Sequence, residues 1–82
     1  MSINYSKEAV RDLKKLPMRT RLRIIEKIEL LADDRGKLAN NIKFVAQYKC
    51  YRLKVGNYRV FYSEDGTILW IEGVKHRREA YR

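Results

Sequence analysis

The stretch Tyr51-Arg52-Leu53-Lys54-Val55-Gly56-Asn57-Tyr58-Arg59-Val60-Phe61-Tyr62 decides how this chain folds. Apolar and cationic residues alternate on both sides of Gly56-Asn57, which is the period of a half-buried strand and not of a helix. Gly-Asn between two such runs reads as a two-residue hairpin turn, since glycine accepts the positive φ that strand twist demands. The turn fixes the register: Val55 faces Tyr58, Lys54 faces Arg59, Leu53 faces Val60 and Arg52 faces Phe61. A period of two then puts Leu53, Val55, Tyr58, Val60 and Tyr62 on one face. Arg52, Lys54, Arg59 and Phe61 share the other.

Downstream, Glu64-Asp65-Gly66 reads as a second turn, and residues 67–74, rich in β-branched and aromatic types, as a further strand. Upstream, residues 42–45 form a short strand after a loop at 37–41. Before that loop the period is helical. Ser6 is suited to an N-cap, with Glu8 in the first turn, and Val10, Leu13 and Leu16 recur at helical spacing until Pro17. A second helix carries Met18, Leu22, Ile25, Ile28 and Leu31 in one stripe that Ile24 widens, and Asp33-Asp34-Arg35-Gly36 ends it. Residues 2–5 alternate as a short strand. The expected architecture is α+β, one domain over residues 1–82: an N-terminal strand and a helical hairpin packed on an antiparallel β-meander.

Composition limits what such a domain does. Its 19 Lys and Arg against 10 Asp and Glu give a net charge of +9. That field attracts phosphate backbones, anionic membranes or acidic proteins. With 45% hydrophobic residues in periodic positions the chain is built to fold. No apolar run of about 18 residues is present to span a membrane. The opening residues lack the apolar core of a secretion signal, and Cys50 is the single cysteine, so a reducing cytoplasm is expected. Cys50 has no partner for a disulfide or a thiolate metal site, and the single histidine, His76, lies far along the chain. The sequence implies no cofactor.

Lys54 opposite Arg59, with Arg52 beside them, places like charges across a hairpin, which is destabilising. Lysines and arginines are ordinary on the wet side of a sheet. Three cations without an acidic neighbour on the two strands point further, to an anion that relieves the repulsion. A second cationic group, Lys75-His76-Arg77-Arg78-Glu79-Ala80-Tyr81-Arg82, leaves the next strand. Unbroken alternation from Trp70 places Glu72 and His76 on the basic face and turns Arg77 away. A bulge at Gly73 reverses that parity and brings Arg77 to the patch. The residues alone leave both registers open.

Such a patch has a route to chemistry without metal ligands or paired carboxylates. RNA carries its own nucleophile, the 2′-hydroxyl, next to the phosphodiester. A catalyst aligns it, removes its proton, stabilises charge on phosphorus and protonates the leaving 5′-oxygen. Lys54 between two guanidinium groups is the candidate base, because neighbouring cations disfavour a charged ammonium. Arg59 and Arg77 are candidates for holding the phosphate. His76 and Tyr81 are the candidate proton donors, and Tyr81 is equally suited to stacking on a base.

Three segments resemble the RelE/ParE toxin superfamily. They are the opening Ser6-Lys7-Glu8-Ala9-Val10-Arg11-Asp12-Leu13-Lys14-Lys15-Leu16-Pro17, the central Tyr51 to Val60 pattern, and the closing His76-Arg77-Arg78-Glu79-Ala80-Tyr81. The resemblance implies a β-α-α-β-β-β fold like that of microbial ribonucleases. It also implies the toxin of a type II toxin–antitoxin pair, which enters the ribosomal A site and cleaves mRNA. Matching positions make Lys54, Arg59, Arg77 and Tyr81 the expected catalytic set. Arg52, Phe61, Lys75, His76 and Arg78 are the expected RNA contacts, with no metal. Arg52 stands where some members have lysine, which leaves Lys54 alone as the base. The chain ends at Arg82, and the C-terminal helix of longer relatives is not expected. The expected partners are an acidic, partly disordered antitoxin, held in a hetero-oligomer, and the ribosome with its mRNA, with no membrane. A gyrase inhibitor of the ParE kind and a basic nucleic-acid-binding module without activity are the competing readings.

Overall fold

A computed structural model describes residues 1–80. The order is β1 (Ser2–Tyr5), α1 (Lys7–Lys14), α2 (Met18–Asp33), a 3₁₀ turn (Arg35–Asn41), β2 (Ile42–Val45), β3 (Cys50–Val55), β4 (Tyr58–Glu64), β5 (Ile68–His76) and α3 (Arg77–Ala80). The five strands form one sheet in the order β1-β5-β4-β3-β2. The expected meander is its antiparallel part. The N-terminal strand joins it as a parallel neighbour of β5, Ser2 against Ile68 through Tyr5 against Ile71, so the sheet is mixed.

The β3–β4 hairpin takes the register its turn dictates, with Lys54 across from Arg59 and Arg52 across from Phe61. Gly56 has φ +57°, as a glycine first in a two-residue hairpin turn should. Leu53, Val60, Leu69, Ile71 and Val74 from the sheet meet Ala9 and Leu13 of α1 and Ile24, Ile28 and Leu31 of α2 in one core. The stripe expected on the second helix is rotated: Met18 and Leu22 stay 67% and 57% exposed, and the inward set runs through Ile24, Ile28 and Leu31. Arg21 explains part of this, since its side chain points inward to cap α1, donating to the carbonyls of Leu13, Lys14 and Leu16. The loop expected at 37–41 lies within a 3₁₀ turn, Arg35–Asn41, that buries Leu38.

Where β1 stops, α1 takes over the same edge of β5. Ser6 donates through its backbone N–H to the carbonyl of Ile71 and through its hydroxyl to that of Glu72. The same hydroxyl accepts from Ala9 N, so Ser6 is the N-cap that its type suggests. Asp12 then accepts the N–H of Val74 at 2.9 Å, an edge donor with no strand beside it. Opposite, on β4, pairing slips between Phe61 and Tyr62, and Glu72 is the extra residue between Ile71 and Gly73. A Cβ on Gly73 would lie 3.1 Å from a Glu8 carboxylate oxygen, so glycine there lets α1 approach. No helix among the described residues is long and apolar enough to cross a membrane.

Two stability predictions follow from these contacts. The Tyr62 hydroxyl is buried without a hydrogen-bond partner among the described residues. Burial pushes it up to about 12, opposed by Arg35 and reinforced by Glu64 and Tyr51. Tyr62→Phe is expected to raise unfolding free energy by about 1 kcal/mol in urea titrations; a loss would mean that the hydroxyl has a partner. Asp65 organises the β4–β5 turn, accepting from the N–H groups of Ile68 and Thr67 and from the Thr67 hydroxyl. These bonds, led by that of Ile68, lower its pKa below the ordinary 3.8. Its contribution is therefore complete above that value and is lost as pH falls through the depressed folded pKa. Asp65→Ala should flatten the acid limb of stability against pH, measured by urea melts between about pH 5 and 2.

Candidate functional site

The face of the sheet turned away from α2 carries the cationic residues that the sequence singles out. Pairing lines its residues into two rows across the strands. One row runs Lys54, Arg59 and Lys75. The other runs Lys43, Arg52, Phe61 and Gly73. Lys43 is a cation that sequence reading missed. The alternation of residues 42–45 is weak, and only pairing with β3 shows that Lys43 shares the face of Arg52. Tyr48 was also missed, because it sits in the irregular 46–49 connection, where no period applies. It folds edge-on to Phe61, ring centroids 6.3 Å apart.

The expected site residues divide by surroundings. Lys54 is exposed, and its backbone carbonyl accepts from Asn41 Nδ2. Arg52 is half-buried beside it. Arg59 differs from expectation: it is 7% exposed and curls back over its own turn. Its Nη1 donates to the carbonyls of Gly56 and Tyr58 at 3.0 Å each. The short α3 packs against β4 and β5 near this row.

Lys75 reaches the open face but is gripped by α1, with Nζ 3.2 Å from Glu8 and 3.1 Å from Asp12. Burial pulls its pKa down, and the hydrogen bonds to Asp12 and Glu8 more than offset this, so the net shift is upward. Its charge is thus neutralised within the fold, which weakens the phosphate-contact reading of that residue. The bulge at Glu72 settles the register that the sequence left open. It turns Val74 into the core and His76 to the face of Tyr58, where the two rings meet edge-on at 5.3 Å. His76 therefore leaves the basic face, and its Nδ1 accepts the N–H of Arg78.

Arg77 opens α3 as an exposed residue, and its N–H donates to Asn57 at 2.7 Å, docking the tail on the β3–β4 turn. Arg78 is exposed as well. The short α3 was not anticipated. Tyr81 lies outside the described residues. Cys50 lies on this face but is 5% exposed. Burial, and then the charge of Glu72, push its thiol up, away from the thiolate that nucleophilic chemistry needs.

Between Phe61, Gly73 and α1 an open cavity of about 440 Å³ is lined by Tyr48, Glu72 and Lys75, among others. The face therefore has two regions. Lys43, Arg52 and Lys54 occupy β2 and β3, and a mixed, aromatic-walled hollow lies over β4 and β5.

Comparisons with known proteins agree on the fold and on the family. The family model described as the ParE toxin of type II toxin–antitoxin systems, parDE, matches residues 3–81. Toxin RelE3 of Methanocaldococcus jannaschii is 31% identical over 84 residues, spanning 99% of this chain and 96% of the relative. The toxin of the RelBE2 toxin–antitoxin complex from Mycobacterium tuberculosis superposes with a TM-score of 0.77 at 26% identity, over 93% of this chain and 96% of that one. YafQ of E. coli shares the fold, with a TM-score of 0.80 at 14% identity over 99% and 98% of the two chains. The match over nearly the whole length makes this chain a RelE-like member of the ParE toxin family of type II toxin–antitoxin systems.

Proposed function

We propose that this toxin is an endoribonuclease that enters the ribosomal A site and cleaves mRNA through attack of the substrate's own 2′-hydroxyl. The observation that carries the reading is the run of Lys43, Arg52 and Lys54, which cross-strand pairing places side by side on one face. Lys43 and Arg52 follow the RNA backbone, and Arg52 presents a planar fork to a phosphate. Lys54, the exposed amine at the end of the hairpin, takes the proton from the 2′-hydroxyl. Arg77, carried by α3 to the turn that precedes Arg59, meets the charge that develops on phosphorus. Arg59 holds the turn through Gly56 and Tyr58 and so sets the spacing between Lys54 and α3. Tyr81 keeps the role of proton donor that its place in the closing motif suggests.

The partner is an acidic antitoxin. The solved relatives from M. tuberculosis and M. jannaschii are toxin–antitoxin complexes. The exposed Met18 and Leu22 lie in a stretch, residues 13–25, that holds Lys14, Lys15, Arg19, Arg21 and Arg23 and no acid. Apolar contact ringed by cations suits an acidic amphipathic segment. Gyrase inhibition of the ParE kind is the second reading, favoured by the family model and by the neutralised Lys75.

Added to a translating extract, the purified toxin should give new mRNA 5′ ends at A-site codons, mapped by primer extension. Lys54→Ala should slow this cutting about 10²- to 10⁴-fold, as loss of a general base does, and Arg77→Ala should abolish it at the same protein level. Intact mRNA with the wild-type protein, together with inhibition of gyrase supercoiling, would replace the ribonuclease reading by the second one. Lys43→Ala should weaken single-stranded RNA binding across sequences and lower the log–log salt slope by about 0.7 to 1; an unchanged slope would remove Lys43 from the RNA path.

A further inference from the structure

The cavity beside the cationic track is lined by Phe61, Tyr48 and Gly73, and its volume of about 440 Å³ is ample to admit a nucleobase. Its chemistry is unlike that of the track. Glu8 already holds Lys75, and Asp12 holds both Lys75 and the Val74 N–H. Glu72 is different. It is the extra residue of the bulge, exposed and bordering the cavity, and its carboxylate joins no hydrogen bond or ion pair among the described residues.

We infer that this cavity is a base-reading pocket in which Phe61 and Tyr48 contact a splayed-out nucleobase and Glu72 selects guanine. The inference rests on the RNA reading above. An ionised carboxylate only accepts hydrogen bonds, through two oxygens side by side. Guanine alone among the four RNA bases offers two adjacent donors on its Watson–Crick edge, N1–H and the 2-amino group. Adenine and cytosine set an acceptor next to their amino group, and uracil sets a carbonyl on each side of its single N–H. A carboxylate therefore pairs twice with guanine and meets a repelling lone pair on every other base. Single-stranded RNA is read in this manner, bases held against aromatic rings and hydrogen-bonded on their edges.

The neighbouring geometry fits. Phe61 is paired with Arg52, so a phosphate on Arg52 lies one strand away from the pocket wall. Gly73 keeps the floor low, since any Cβ there would enter the space beside Glu8.

The test uses synthetic mRNAs that carry guanosine or inosine at each position of the A-site codon, since inosine lacks only the 2-amino group. Wild-type protein should cut the guanosine message roughly 10- to 100-fold faster at one codon position. Glu72→Gln, which offers an acceptor beside a donor, should lose that preference and favour adenosine there. Glu79→Gln, altering the carboxylate that borders the cavity from α3, should leave it unchanged. Equal cutting of guanosine and inosine at every position overturns the pocket, as does a preference that survives Glu72→Gln. A protein that cuts no message is examined by binding, through the amide resonances of Glu72 and Gly73. A response to guanosine-containing RNA that weakens with inosine supports the pocket while the cleavage reading falls. Equal responses to both overturn the pocket.

Discussion

From Glu72 onward, the outer edge of β5 has no strand beside it, and exposed backbone donors and acceptors cost free energy when other groups cover them unpaired. The fold resolves this with side chains. Ser6 takes two carbonyls, and Asp12 takes the Val74 N–H while also gripping Lys75. The first helix is thereby fixed against the edge, and Ala9 and Leu13 are pressed into the core. The bulge, the glycine that admits the helix and the hollow beside it all follow from an edge completed by carboxylate and hydroxyl.

The same edge divides the electrostatics of the open face. Carboxylates from α1 neutralise the β5 end, whereas Lys43, Arg52 and Lys54 stand together on β2 and β3. A uniform cationic patch binds any polyanion. A patch bounded by carboxylates gives a backbone one path and rejects phosphate from the adjoining hollow, a form of specificity by repulsion.

The hairpin register was legible because a two-residue turn leaves no freedom, and the period of two then assigns every face. The Ser6 cap and the break at Pro17 were legible for the same local reason. What escaped depended on distant partners. The parallel pairing of β1 joins residues more than sixty positions apart, and no local pattern encodes it. The inward face of α2 shifted because Arg21, nominally a surface residue, caps the preceding helix. Arg59 follows the sheet alternation, yet it is buried and bonds back to its own turn, which alternation alone does not announce. The bulge was recognised as one of two possibilities. The helix docking on β5 decided between them.

The pairing of β1 with β5 also bears on the order in which the molecule is made. Ser2 waits for Ile68, so β1 cannot find its place until β5 has been made. Contacts of such separation slow folding, because loop closure comes before any reward from pairing. Since β5 also supplies Glu72, Gly73 and the docking ground for α3, the cationic face and its hollow form only once β5 is present. Until β5 has been made, the helices of this toxin stand without the sheet they cover, which leaves an interval for a partner to reach them first.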